Sequence, residues 1–174
     1  MTGIRLRGGP AANKPSPWLR FVFQKMREDG FDPRRKWFVD LGAGNGRNAA
    51  WLWDQGLNGV AVDPAPGGAD VACWDGQSHL RQVQAHSCDI ILLQYVLMFV
   101  PPARRMPIAH CINRLARFNC VLLLEAYAAK NQHYKPAMLY DFVRQLNRSC
   151  RSEGEWVPCA TEGNDHLAFQ FRAA

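Results

Sequence analysis

Apolar positions along this chain alternate between helical and strand-like spacing. Trp18, Leu19, Val22, Phe23 and Met26 recur at helical intervals, with Arg20, Gln24, Lys25 and Arg27 off that stripe. Ser16 before Pro17 has the form of an N-cap followed by proline at the first helical position, and Gly30 ends the helix. Ahead of it, Gly8, Gly9, Pro10 and Pro15 break any regular element, which predicts a flexible arm over 1–15 and a helical segment over 16–36. Trp37 to Leu41 is a short apolar run stopped by Gly42, a buried strand by its form. A helix is predicted over Arg47 to Gln55 and a second strand over Leu57 to Val62, ended by Asp63-Pro64. A turn over Pro64 to Gly68, a short third strand over Ala69 to Trp74 and a short helix over Ser78 to Ala85 follow. Cys88 to Leu97 is the most apolar run, which suits a central parallel strand covered on both faces. Pro101 opens a helix to about Arg117, and Val121 to Leu124 is another buried strand. Met138 to Ser152 is a last helix with Leu139, Phe142, Val143 and Leu146 inward, before closing strands at Glu155 to Cys159 and His166 to Phe171.

Strands alternating with helices predict an α/β domain: a mainly parallel sheet with helices on both faces. The 174 residues suffice for one such domain, over 37–174, and show no internal repeat. No apolar run is long enough to span a bilayer, and the first ten residues lack the apolar core of a signal peptide, so the expectation is a soluble, cytoplasmic protein without a membrane partner. Six cysteines occur with no CxxC pair and no zinc-like Cys/His spacing, which reads as reduced structural thiols. The net charge of +6 is concentrated: nine basic and three acidic residues lie in 1–36, and the remainder is balanced at twelve of each. That arm is either a solubilising tail or a contact for a polyanion.

The candidate chemistry sits at the first strand-to-helix turn, Val39-Asp40-Leu41-Gly42-Ala43-Gly44-Asn45-Gly46-Arg47-Asn48. Its three glycines allow a sharp turn and close approach of a ligand, at the strand ends where α/β folds bind ligands. A dinucleotide site prefers G-x-G-x-x-G, whereas here Arg47 fills the place of the third glycine. Asp40 just before the glycines would repel a pyrophosphate but suits an ammonium group. Asp63 ends the next strand, where a carboxylate accepts both ribose hydroxyls. Asp75-Gly76 closes the third, placed to reach an adenine amino group.

This ordered set resembles the class I S-adenosylmethionine (SAM)-dependent methyltransferase superfamily. Asp40 to Asn48 is similar to its first motif, Gly59 to Asp63 to its second strand and ribose acid, Cys88 to Pro101 to its fourth strand and following helix start, and Val121 to Glu125 to its fifth. The resemblance implies a Rossmann-like three-layer sandwich with a seven-stranded sheet of order 3-2-1-4-5-7-6, the last strand antiparallel. It implies SAM as cofactor, bound by Asp40, Gly42, Ala43, Gly44, Asn45, Gly46, Arg47, Asn48, Asp63, Asp75, Gly76 and Gln94. Two features depart from the family. The stretch between Asp63 and Asp75 is short and rich in Pro and Gly. Gln94-Tyr95-Val96-Leu97 stands where amino-methylating nucleic-acid enzymes carry Asn/Asp-Pro-Pro-aromatic.

Methyl transfer needs a nucleophile placed and shielded from water, with a base optional. Candidates for that work are Tyr95, Glu125, His133 and Tyr134, the last two in the polar stretch after the fifth strand. The alternatives are packing for Tyr95, a solvated loop for Glu125, and an ordinary polar loop for the last two. The other histidines read as structural or surface groups. No acid or histidine cluster has magnesium or zinc spacing, so no metal is expected. The leading function is methylation of a small or medium-sized acceptor, with an anionic one favoured by the arm. The alternatives are a nucleic-acid methyltransferase docking through the basic segment, a SAM-binding or partner-binding module without turnover, and, more remotely, a nicotinamide dehydrogenase. In relatives an N-terminal helix closes over the cofactor, which gives the 16–36 helix a lid reading.

Overall fold

The computed structural model describes residues 14–65, 72–73, 80, 83–126, 137–150, 154–163 and 165–173. The chain divides into two compact units, Met1–Val83 and Gln84–Ala174. Among the described residues no helix is long and apolar enough to cross a membrane.

In the first unit, helix α1 (Pro17–Glu28) precedes β1 (Trp37–Leu41), α2 (Arg47–Asp54), β2 (Asn58–Asp63) and the two-residue β3 (Ala72–Cys73). Ser16 caps α1 as expected: its hydroxyl accepts from the Trp18 and Leu19 amides at 3.1 and 3.3 Å. The stripe Trp18, Leu19, Val22 and Phe23 is buried, and Phe23 meets Trp51 of α2 edge-on at 5.1 Å. β1 pairs in parallel with β2, and β2 with β3, giving the order β3-β2-β1. Gly59 is required on β2 because an added Cβ would overlap the Phe38 ring and carbonyl. The observed β2 runs one residue later than the predicted strand, so Asp63 is its last residue. Of the predicted 69–74 strand only Ala72 and Cys73 are described, and the 1–13 part of the arm lies outside the described residues. Of the predicted 78–85 helix residues 80 and 83–85 are described, and residues 83–85 are not helical but lead through a bend into a turn.

The second unit holds β4 (Cys88–Gln94), α3 (Arg105–Leu115), β5 (Ala116–Glu125), α4 (Met138–Ser149), β6 (Glu155–Glu162) and β7 (His166–Arg172). β4 is buried at every position, as its apolar run predicts. It pairs in parallel with β5; β5 and β6 both pair antiparallel with β7, giving the order β4-β5-β7-β6. Asn113 ties three elements together. Its amide donates to Leu146 O (3.0 Å) and Ser149 Oγ (2.7 Å), while its oxygen accepts from Trp156 Nε1 at 2.8 Å. Cys88, Cys111, Cys120 and Cys159 are free thiols, and burial pushes the Cys88 thiol up to about 12.

Several predicted boundaries move. The fourth strand stops at Gln94, because Tyr95 takes a left-handed backbone (φ 61°) and a 3-10 turn follows at Leu97–Phe99. The helix from Pro101 is broken. Pro102–Arg104 forms a 3-10 turn, α3 begins at Arg105 with Pro107 in its first turn, and Ala116 already lies in β5. β5 therefore starts five residues early, with a bulge: Cys88 pairs with Ala116 but Ile90 with Val121, and Asn119 is left-handed at φ 63°. α4 ends at Ser149 rather than Ser152.

Candidate functional site

β1 delivers the chain into a turn that only glycine accommodates readily. Gly42, Gly44 and Gly46 have φ values of 77°, 56° and 77°. The Gly42 and Ala43 amides both donate to Val62 O, at 2.8 and 3.1 Å, which fastens the turn to the carboxyl end of β2. Asp63 completes the fastening: Oδ2 accepts from Gly44 N and Oδ1 from Ala65 N, each at 2.8 Å. The half-buried carboxylate keeps lone pairs beyond those two bonds, since a carboxylate offers about four. Among the described residues a Cβ added at Gly44 would meet nothing within 4 Å, which leaves space over the turn.

Asp40 lies beneath it, 2% exposed. Burial first, and then the Asp63 carboxylate, raise its pKa to about 7, against the opposing pull of Arg47 and the Ala49 amide. Its Oδ2 has no hydrogen-bond partner among the described residues. Gly46 gives α2 no side-chain cap, so Asn45 Oδ1 takes the Arg47 amide at 3.3 Å and Asp40 takes that of Ala49. Asn48 turns the other way: its Oδ1 accepts from Ser16 N at 2.9 Å, tying the start of α1 to the start of α2. Sequence reading found Ser16 as a cap but missed this bond, which spans 32 residues.

The carboxyl ends of β4 and β5 hold a second polar cluster. Gln94 and Glu125 are 5% and 1% exposed, and Gln94 Nε2 donates to Glu125 Oε2 at 2.8 Å. The Tyr95 amide donates to Glu125 O at 2.7 Å. His166 on β7 pairs in register with Glu125, its Nε2 3.8 Å from Oε1. Sequence reading treated His166 as structural or surface, because only the antiparallel register of β7 brings it to Glu125. After β4, the buried Arg105 holds the 3-10 turn, donating to Val100 O and Leu97 O, both at 3.1 Å. Asp75, Gly76, His133 and Tyr134 lie outside the described residues.

The first cluster fits SAM on three counts: a buried carboxyl oxygen without a partner among the described residues, a second carboxylate at the next strand end, and open space over a glycine turn. Two acids beside that turn disfavour a pyrophosphate.

The family model for the methyltransferase domain matches residues 39–124, which includes the glycine turn, Asp63, β4 and most of β5. Solved structures share the fold at low identity. A TehB-like SAM-dependent methyltransferase from Corynebacterium glutamicum is 19% identical with a TM-score of 0.63, covering 94% of this chain and 91% of that one. The 1,6-didemethyltoxoflavin-N1-methyltransferase of Burkholderia thailandensis, solved with its substrate and S-adenosylhomocysteine (SAH), is 16% identical (TM-score 0.61, covering 91% and 77%). The magnesium protoporphyrin IX methyltransferase of Synechocystis, solved with SAM, is 15% identical (TM-score 0.57, covering 89% and 78%). A comparison with curated proteins finds no match. The domain match, the α/β Rossmann-like fold and the acid-flanked glycine turn agree: residues 39–124 belong to the methyltransferase-domain family, and the chain shares its fold with SAM-dependent methyltransferases.

Proposed function

We propose that this enzyme transfers the methyl group of SAM to a small or medium-sized acceptor. The observation that carries the reading is the glycine turn at the end of β1, flanked by the buried Asp40 and by Asp63 at the end of β2. SAM supplies an electrophilic methyl group on a sulfonium. In this reading Asp63 accepts the ribose hydroxyls, Asp40 answers the ammonium, and Asp75-Gly76 reaches the adenine. Gln94 and Tyr95 border the acceptor, with Glu125 holding Gln94 in place, and His133 and Tyr134 remain candidates for proton transfer. The partial orders β3-β2-β1 and β4-β5-β7-β6, each taken by itself, match stretches of the family's 3-2-1-4-5-7-6 order.

One consideration supports a small acceptor. The Burkholderia and Synechocystis relatives, by their names, act on small molecules. A nucleic-acid acceptor has its own supporting observation on α1. Phe21 is 49% exposed, stacked on Trp18 at 5.5 Å, with the Lys25 ammonium 6.0 Å from its ring centroid and Arg20 beside it in sequence. An exposed ring among cations suits base stacking. The Ser16–Asn48 bond ties the start of α1 to the helix that follows the glycine turn, which supports the lid reading of 16–36.

The test is incubation with methyl-labelled SAM and separate pools of small metabolites and of RNA and DNA. Label in the small-molecule pool is the expected result. Label in nucleic acid alone would replace it with the second reading, and label in neither would favour a binding module without turnover.

A further inference from the structure

Asp40 carries a property that attraction for an ammonium group does not exhaust. It sits on β1 behind the glycine turn, almost wholly withdrawn from water, with one carboxyl oxygen lacking a partner among the described residues. The groups around it pull in opposite directions. Burial and the Asp63 carboxylate of β2 disfavour a negative charge, while the Arg47 guanidinium and the Ala49 amide of α2 favour one. Asp63 is half-buried and held by the Gly44 and Ala65 amides, so its carboxylate stands fixed beside the buried Asp40 and favours the protonated form there.

We propose that Asp40 is a proton-releasing receptor for the cationic end of the ligand: it gives up its proton when an α-ammonium group docks, which links SAM and SAH binding to pH. This rests on the reading of the glycine turn as the SAM site. The proton moves from the Asp40 carboxyl to solvent, and the ligand's ammonium replaces its charge. Asp40 also becomes a selectivity element, since a nucleoside without the ammonium leaves the proton where it is.

The sign follows from the direction of the shift. Free Asp40 titrates at about 7, and a docked cation lowers that value. Below about pH 7 each ligand therefore displaces a proton, so affinity rises with pH by up to about tenfold per unit and levels off above it. The ligand's amine stays charged over that range, because an α-amino group ordinarily titrates near 8.

The experiment is calorimetric titration of the full chain with SAH in two buffers of different ionisation enthalpy, at pH 6.5 and 7.5. The expected result is release of more than about half a proton per SAH at the lower pH, and roughly threefold less at the higher. Methylthioadenosine, which lacks the ammonium, should release none. Asp40→Asn should bind SAH without proton release and with an affinity that no longer varies with pH. Should that variant fail to fold, carbon-13 carboxyl NMR of the aspartate-labelled wild type gives the same answer. One buried resonance should titrate near neutrality in the free protein and stop doing so when SAH is bound. SAH binding without proton release, or with release undiminished in Asp40→Asn, would overturn the proposal while leaving the SAM site intact. No SAH binding at all would overturn both.

Discussion

Asp63 does two jobs at once. It fastens the glycine turn through the Gly44 amide, and it presents a half-buried carboxylate at the end of β2. Asp63→Ala should lower SAH affinity by roughly 10- to 100-fold, the worth of about 1.5–3 kcal/mol in charge-assisted hydrogen bonds. Titration calorimetry checks it, and unchanged affinity would remove Asp63 from the site. Gly44→Val separates folding from binding. No atom of the described residues lies within 4 Å of the added Cβ, so the cost to folding is the left-handed backbone at φ 56°, about 1–2 kcal/mol. A protein with a native circular dichroism spectrum and no measurable SAH binding is expected, and normal binding by that protein would contradict the glycine-turn assignment. Asp40, Asp63 and the three glycines were legible in the sequence because strand ends and φ-positive turns restrict which residues can stand there. The Glu125–His166 and Ser16–Asn48 neighbours were not, because each depends on a pairing across tens of residues that no local pattern encodes.

At the level of elements, the hydrophobic pattern located every described strand and the four described α-helices, and it erred mainly at ends. The errors have local causes. Tyr95 and Asn119 take left-handed backbones without being glycine, so nothing in composition marked the end of β4 or the bulge in β5. The stretch after Leu115 could be read as a continuing helix, since Ala116 and Phe118 suit either period; the register with β4 decides for strand. Gly59 shows how tightly the first unit is built. The Phe38 ring occupies the place of its missing side chain, and the Trp53 indole donates to its carbonyl at 3.3 Å. Gly59→Ala should therefore overpack β1 against β2 at a cost of about 2–3 kcal/mol, a fall in Tm of roughly 5–10 °C by thermal unfolding. A Tm within about 1 °C of wild type would mean that Phe38 yields at no cost.

On the scale of the whole molecule, the excess of positive charge lies before residue 37, and part of it on the outer face of α1. The two acceptor readings differ in how that charge should act. A nucleic-acid acceptor would bind with a steep salt dependence, a log–log slope of about −0.9 per phosphate contact on duplex DNA, and would weaken when the chain starts at Lys14. A small neutral acceptor would show neither effect. Binding of a labelled oligonucleotide by the full and shortened chains over a salt series tells them apart; indifference to both salt and truncation makes the arm a solubilising tail. Beneath both readings stands one claim, that the acid-flanked glycine turn takes SAM rather than a dinucleotide. Parallel calorimetric titration of the full chain with SAH and with NAD tests it most directly. The account predicts saturable one-to-one binding of SAH and none of NAD at the same concentrations; NAD binding in place of SAH, or heat from neither, would contradict it.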